Sequence, residues 1–321
     1  MPAPGNLLPV QGSKILVIGC GFIGANIVEE LVASSCPPRV LTRSQPAAAV
    51  AALLREGDLV LGDAKDRTVL ERVLQGVEHV IFSAGGLLPA ASEENPELDA
   101  ELTLGPLQRV LETLRRQPET SLTYLSSGGT VYGEPRDVPV GEDAPAAPVG
   151  AYGRLHRACE EAVLCHGLEN ESRVRVLRCS SVYGRHQYPD RGQGALVTFL
   201  NRIEAGRPVE IFGGGESVRD YVYAGDVAKA VVRLFEVDTE DQVLNVGCGE
   251  GTKLIDLLRL AEHQAGRQAE IVSQPPREFE VCQIVLDIHR LQELIDFTPI
   301  PLDEGVALTH RWLRAEAPAR V

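Results

Sequence analysis

Gly19-Cys20-Gly21-Phe22-Ile23-Gly24 constrains the fold of this chain more than any other stretch, because of what flanks it. A short β-branched run, Ile15–Ile18, leads into it. A helical pattern with Ile23, Ile27, Val28 and Leu31 on one side leads out. A strand that turns into a helix through three glycines gives each a separate task. The first permits the tight turn, the second lets backbone approach a pyrophosphate, and the third lets the helix pack on the sheet. The free N–H groups at the helix start then face the phosphates. Gly19, Gly21, Phe22, Ile23 and Gly24 are therefore expected to border a dinucleotide.

The rhythm set by that unit continues. Short apolar runs at Arg39–Leu41, Leu59–Leu61, Val80–Phe82, Leu122–Leu125 and Val174–Leu177 are mostly separated by helical stretches. Strands without in/out alternation, spaced by helices, predict a parallel sheet covered on both faces. The expected fold is α/β, a doubly wound, Rossmann-like parallel sheet whose ligands sit at the carboxyl ends of the strands. After about residue 180 the rhythm loosens into Gly-, Arg- and Pro-rich segments. A smaller, interleaved C-terminal substrate lobe is expected there. The dinucleotide lobe takes residues 1–180 and receives about 217–247, and the substrate lobe takes 181–216 and 248–321.

Charge narrows the partners. Across 321 residues, 31 Lys plus Arg stand against 45 Asp plus Glu, a formal net charge of −14. Such a chain repels nucleic acid and anionic membrane, and an anionic ligand needs a locally basic pocket. The seven cysteines (20, 36, 159, 165, 179, 248 and 282) form no CxxC pair, which fits reduced thiols better than zinc or disulfides. No secretion signal or run of ~18 apolar residues is apparent, so the expected location is the cytoplasm. The histidines outside position 156 form no ligand-like cluster, so no metal is expected.

The end of the second strand, Thr42-Arg43, carries no carboxylate where a dinucleotide site often places an acid on the adenosine ribose. An arginine suits a 2′-phosphate, which tilts the choice between NADP and NAD toward NADP; a solvated surface arginine is the alternative. Asp63, a candidate for the adenine edge or equally a turn residue, and Ala64 follow the third strand, and Ser83, Ala84 and Gly85 the fourth. They complete the expected cofactor contacts.

Further motifs occur in a definite order: GFIG at 21–24, SSGGTVYG at 126–133, AYGRLH at 151–156, RCSSVYGR at 178–185, RDYVYAGDVAKA at 219–230 and NVGCGEG at 245–251. Together they resemble the NAD-dependent epimerase/dehydratase family of extended short-chain dehydrogenases/reductases, over nearly the whole chain. That family includes UDP-glucose 4-epimerases, sugar dehydratases and 4-ketoreductases. The resemblance implies that Tyr152 exchanges a proton with a sugar hydroxyl while hydride passes to or from the ring carbon. It implies a nucleotide-diphosphate sugar as substrate, held by Ser181, Arg219, Tyr221, Arg277 and Glu280; Arg185 either adds positive charge at the pocket mouth or is a solvated loop arginine. It also implies a homodimer built from helices near Leu98–Arg115 and Tyr152–His166.

The chain departs from the family at two catalytic positions. His156 stands where a lysine, four residues after the tyrosine, supplies positive charge and holds the nicotinamide ribose in the family. Gly128 stands where a Ser or Thr contacts the reacting oxygen, leaving Ser127 or Thr130 to take over that contact. The Asp-Glu pair of 4,6-dehydratases is replaced by Gly129-Thr130. The leading expectation is transient oxidation and reduction at sugar C4, that is, an epimerase. An NADPH-dependent 4-ketoreductase is the alternative, and a non-catalytic binder of dinucleotide or sugar nucleotide the third.

Overall fold

The computed structural model describes residues 14–189, 194–277 and 281–316. Its strands are β1 (Ile15–Ile18), β2 (Arg39–Thr42), β3 (Leu59–Leu61), β4 (His79–Phe82), β5 (Ser121–Ser127), β6 (Val174–Cys179), β7 (Ser181–Tyr183), β8 (Val209–Phe212), β9 (Val218–Tyr223), β10 (Val243–Val246), β11 (Gly251–Lys253), β12 (Ile271–Gln274) and β13 (Gln283–Ile284). The helices are α1 (Phe22–Ala33), α2 (Ala48–Ala51), α3 (Arg67–Val73), α4 (Pro89–Glu94), α5 (Pro96–Leu114), α6 (Gly128–Val131), α7 (Ala151–Asn170), α8 (Ala195–Glu204), α9 (Ala224–Arg233), α10 (Leu254–Ala265), α11 (His289–Leu294) and α12 (Leu302–Glu316).

Seven strands form one parallel sheet in the order β10-β6-β5-β4-β1-β2-β3. This is the doubly wound sheet the sequence predicts. Strand β1 explains why its strands read as continuous apolar runs. Ile15 and Val17 point into a core with α1 and α9, whereas Leu16 and Ile18 point into a second core with α3, α5 and α7. Both faces are buried, so alternation is lost. The chain winds outward in both directions from the β1–β4 junction, and a crevice opens there at the carboxyl ends of the strands.

Four of the six runs read from the sequence gain residues at their ends. The seventh strand, β10, joins the edge beside β6 only after a long excursion. That excursion begins abruptly: β6 ends at Cys179 and β7 starts at Ser181. Strand β7 pairs with β9, which is flanked by β11 and β13, while β8 and β12 form a separate pair. A third apolar cluster, built from α8, α10 and α12 with Tyr183, Tyr221 and Tyr223, supports this layer. Ser181 and Arg219 thus stand beside the end of the main sheet.

Leu107, Val110, Leu111 and Leu114, at helical spacing on α5, are all buried in the chain's own core. Among the described residues no helix is long and apolar enough to cross a membrane.

Candidate active site

The glycine loop has the geometry its spacing predicts. Gly19 sits at φ +94°, in the left-handed region, and a Cβ there would lie 2.6 Å from Ala84 N. A Cβ on Gly24 would collide with the Gly19 carbonyl, so only glycine lets α1 pack this closely on the strand it leaves. Gly21 is the opposite case: a Cβ would meet nothing within 4 Å, because this residue faces open space. The Ser83 hydroxyl donates to the Gly19 carbonyl at 2.7 Å, tying the end of β4 to the loop. Phe22 is buried beneath the turn and Ile23 partly so. An unfilled cradle at Gly21, at the uncapped start of α1, fits a dinucleotide's pyrophosphate.

Beyond the loop, Thr42 is buried and its hydroxyl donates to the Ser44 carbonyl at 3.3 Å. Arg43 is exposed and has no partner among the described residues. The Asp63 carboxylate accepts from Lys65 N at 2.8 Å, the local turn expected of an aspartate there. Ala64 is buried, Ala84 is half-buried, and Gly85 is exposed. These positions end β2, β3 and β4 in turn, so one sheet edge carries them all.

Helix α7 brings Tyr152 to the same edge. Its N-terminus is held by Glu93 of α4, whose carboxylate accepts from Ala151 N and complements the helix dipole. The Tyr152 and His156 rings lie 4.4 Å apart on one face, as the i, i+4 spacing requires. His156 is buried, and its Nδ1 lies 2.8 Å from the Tyr124 hydroxyl on β5. Burial pushes its pKa down to about 4, although Asp99 and Glu160 pull the other way. The imidazole is therefore neutral near pH 7 and lends Tyr152 no positive charge. Burial, with Asp99, Cys179 and Cys159 nearby, pushes the Tyr152 phenol above its ordinary value.

The hydroxyls around Gly128 are committed unevenly. Ser126 donates to Glu160 at 2.6 Å, and Thr130 turns back to the Ser127 carbonyl at 3.3 Å. Ser127 keeps a side chain with no hydrogen bond among the described residues. A Cβ at Gly128 itself would come 2.8 Å from both the Arg178 carbonyl and Leu286 Cδ1. The space for the family's hydroxyl-bearing side chain is thus filled by Leu286. Gly129 is open by comparison: a Cβ there would meet only Ser181 Oγ, at 3.9 Å.

Asp99 and Glu160, which shape the site, lie outside the quoted motifs. Asp99 of α5 is buried; its Oδ1 accepts from Leu87 N at 2.8 Å, and its Oδ2 is buried without a hydrogen-bond partner. Glu160, fully buried on α7, is gripped by Arg178 of β6 through Nε (3.0 Å) and Nη2 (2.7 Å). Arg178 also donates to Tyr132 at 3.0 Å, whose hydroxyl donates to Asn245 of β10 at 2.7 Å. A buried pair this well hydrogen-bonded fixes how α7 sits on the sheet. Only the spacing of Tyr152, His156 and Glu160 along one helix face hinted at it.

On the substrate side, Arg219 Nη1 donates to Val218 O (3.0 Å) and Cys282 O (3.3 Å), and Glu134 accepts from Cys282 N. The Arg277 guanidinium lies 3.8 Å from the centroid of the Phe212 ring. Tyr221 is buried on β9, paired with Ser181 of β7. Arg185 is turned toward α1, where it pairs with Glu29 at 2.8 Å. Its neighbour His186 meets the same carboxylate at 2.8 Å. Glu280 lies outside the described residues.

Residues 15–247 match the model of the NAD dependent epimerase/dehydratase family. The chain belongs to that family. It is 31% identical to a putative UDP-glucose 4-epimerase of Methanocaldococcus jannaschii, over 92% of this chain and 96% of that one. Among solved structures it is similar to the UDP-glucose 4-epimerase of Thermus thermophilus in complex with NAD. There the identity is 30% and the TM-score 0.85, covering 94% of this chain and 98% of the other. The Thermotoga maritima UDP-glucose 4-epimerase with UDP-glucose is also 30% identical, with a TM-score of 0.86, covering 94% and 99%. Its curated relatives also include a dTDP-4-dehydro-6-deoxyglucose reductase of Escherichia coli, 30% identical over 72% of this chain and 73% of that one.

Proposed function

We propose that this protein is a nucleotide-sugar epimerase that acts by transient oxidation and reduction at sugar C4. The observation that carries the reading is the convergence, on one sheet edge, of the open Gly21 cradle and Tyr152. Relatives aligned over more than nine-tenths of both chains, named as UDP-glucose 4-epimerases, support the substrate class. In this reading Gly19, Gly21 and Gly24 with the N-terminus of α1 hold the pyrophosphate. A bound NAD or NADP supplies a hydride acceptor that later returns the hydride. Tyr152 removes the C4 hydroxyl proton and gives it back after the keto sugar turns over. Ser127 is the hydroxyl left to contact the C4 oxygen. Arg219 and Arg277 hold the diphosphate, which a protein of net charge −14 must attract locally. A homodimer remains part of the proposal, through a surface other than the buried stripe of α5.

A second reading is favoured by the electrostatics of Tyr152. With a neutral His156 and Asp99 nearby, the phenol is held in its protonated form. A proton donor is all that a one-way 4-ketoreductase requires, and the free Arg43 suits the 2′-phosphate of NADPH. Denaturing the purified protein and identifying released dinucleotide by mass spectrometry separates the two. Stoichiometric NAD(P)⁺ is expected for an epimerase that recycles its cofactor. An empty protein that binds NADPH tightly favours the reductase, and a protein that binds neither dinucleotide contradicts both readings.

A further inference from the structure

His156 and Tyr124 form a pair that the family motif does not contain, and their surroundings determine what the pair can do. The Tyr124 hydroxyl, fully buried, lies 2.8 Å from His156 Nδ1. Cys159, one turn below His156 on α7, is within hydrogen-bond reach of the same hydroxyl. His156 Nε2 has no partner among the described residues. Two proton arrangements are available. If Nδ1 carried the proton, it would donate to Tyr124, whose own O–H would be left with only a thiol sulfur as acceptor. A thiol sulfur accepts poorly. If Nε2 carries the proton, Cys159 S–H donates to Tyr124, and Tyr124 O–H donates to Nδ1. Every donor but Nε2–H then has a partner, and Nε2–H is left for a ligand.

We infer that Tyr124 is a positioning residue that locks His156 as the neutral, Nε2-protonated imidazole, so that His156 replaces the family lysine as a hydrogen-bond donor to the nicotinamide ribose but not as a charge. Asp99 on α5 and Glu160 on α7 pull the ring toward its charged form, but burial outweighs them. Tyr152 and Cys159 on α7 and Tyr124 on β5 are neutral at pH 7, and Arg178 on β6 is neutralised by Glu160 at 2.7 Å. The ribose half of the inference rests on the dinucleotide reading above; the Tyr124–His156 lock does not.

Nitrogen–proton correlation spectra of protein carrying isotope-labelled histidine test both halves. Ligand-free wild type is expected to show His156 as a single Nε2–H tautomer, unchanged between about pH 5.5 and 8. Tyr124→Phe, which keeps the ring that packs the core, is expected to give a tautomer mixture. It is also expected to weaken NADH and NADPH binding roughly tenfold, the loss of about one hydrogen bond. An Nδ1–H tautomer in wild type overturns the lock, as does a Tyr124→Phe protein with an unchanged pattern. If wild type shows the expected tautomer but binds neither dinucleotide, the ribose half falls together with the dinucleotide reading, while the lock stands.

Discussion

In the proposed reaction, His156 sets how readily Tyr152 gives up its proton. A phenol has a pKa of about 10 in water, and here burial raises it while the neighbouring imidazole stays neutral. A reaction that needs the tyrosinate should therefore gain rate as pH rises through the neutral range and beyond. His156→Lys places a positive charge next to the phenol and should move the rising limb of the kcat/KM profile down by about one to two pH units. A profile that does not move would mean that residue 156 does not tune Tyr152. Gly128 teaches a different lesson at the same scale. The sequence reads as a missing hydroxyl, but only the folded chain reveals that Leu286, far along the chain, fills the vacated space. Tyr124 is equally silent in sequence, where it is one aromatic in an apolar strand.

The strand–turn–helix unit is the element whose function was most legible before folding. Its three glycines are required for three distinct reasons, and each reason can be tested separately. Gly21→Ala should fold with stability within about 1 kcal/mol of wild type, because its methyl enters open space. It should bind dinucleotide at least about tenfold more weakly, because that space is where a phosphate approaches. Calorimetry and thermal melts on the same preparation check both expectations, and Gly24→Ala is the contrasting control that should fold poorly. Helix α7 was legible only in part. Its i, i+4 pairing of Tyr152 and His156 follows from helix geometry, but the grip of Arg178 on Glu160 depends on β6 lying beside β5, a long-range fact. The pairing of Arg185 was not legible for the same reason: its partner, Glu29, comes from a helix more than a hundred residues earlier.

At the scale of the whole molecule, the parallel sheet was readable because strands buried on both faces must be apolar throughout. The layer built on β7, β9, β11 and β13 was not, since its short strands are set by pairing rather than by pattern. That layer matters because the step from Cys179 to Ser181 carries the chain from the main sheet into the layer that holds Arg219. In the proposed reaction, a proton and a hydride are exchanged at one sugar carbon between Tyr152 and that layer. The most direct test is to incubate the protein with a nucleotide sugar carrying deuterium at C4 and to follow configuration and label by NMR. Inversion at C4 with the deuterium kept at that carbon, lost in Tyr152→Phe, is the expected result. Unchanged configuration, or deuterium exchanged into solvent, would contradict it.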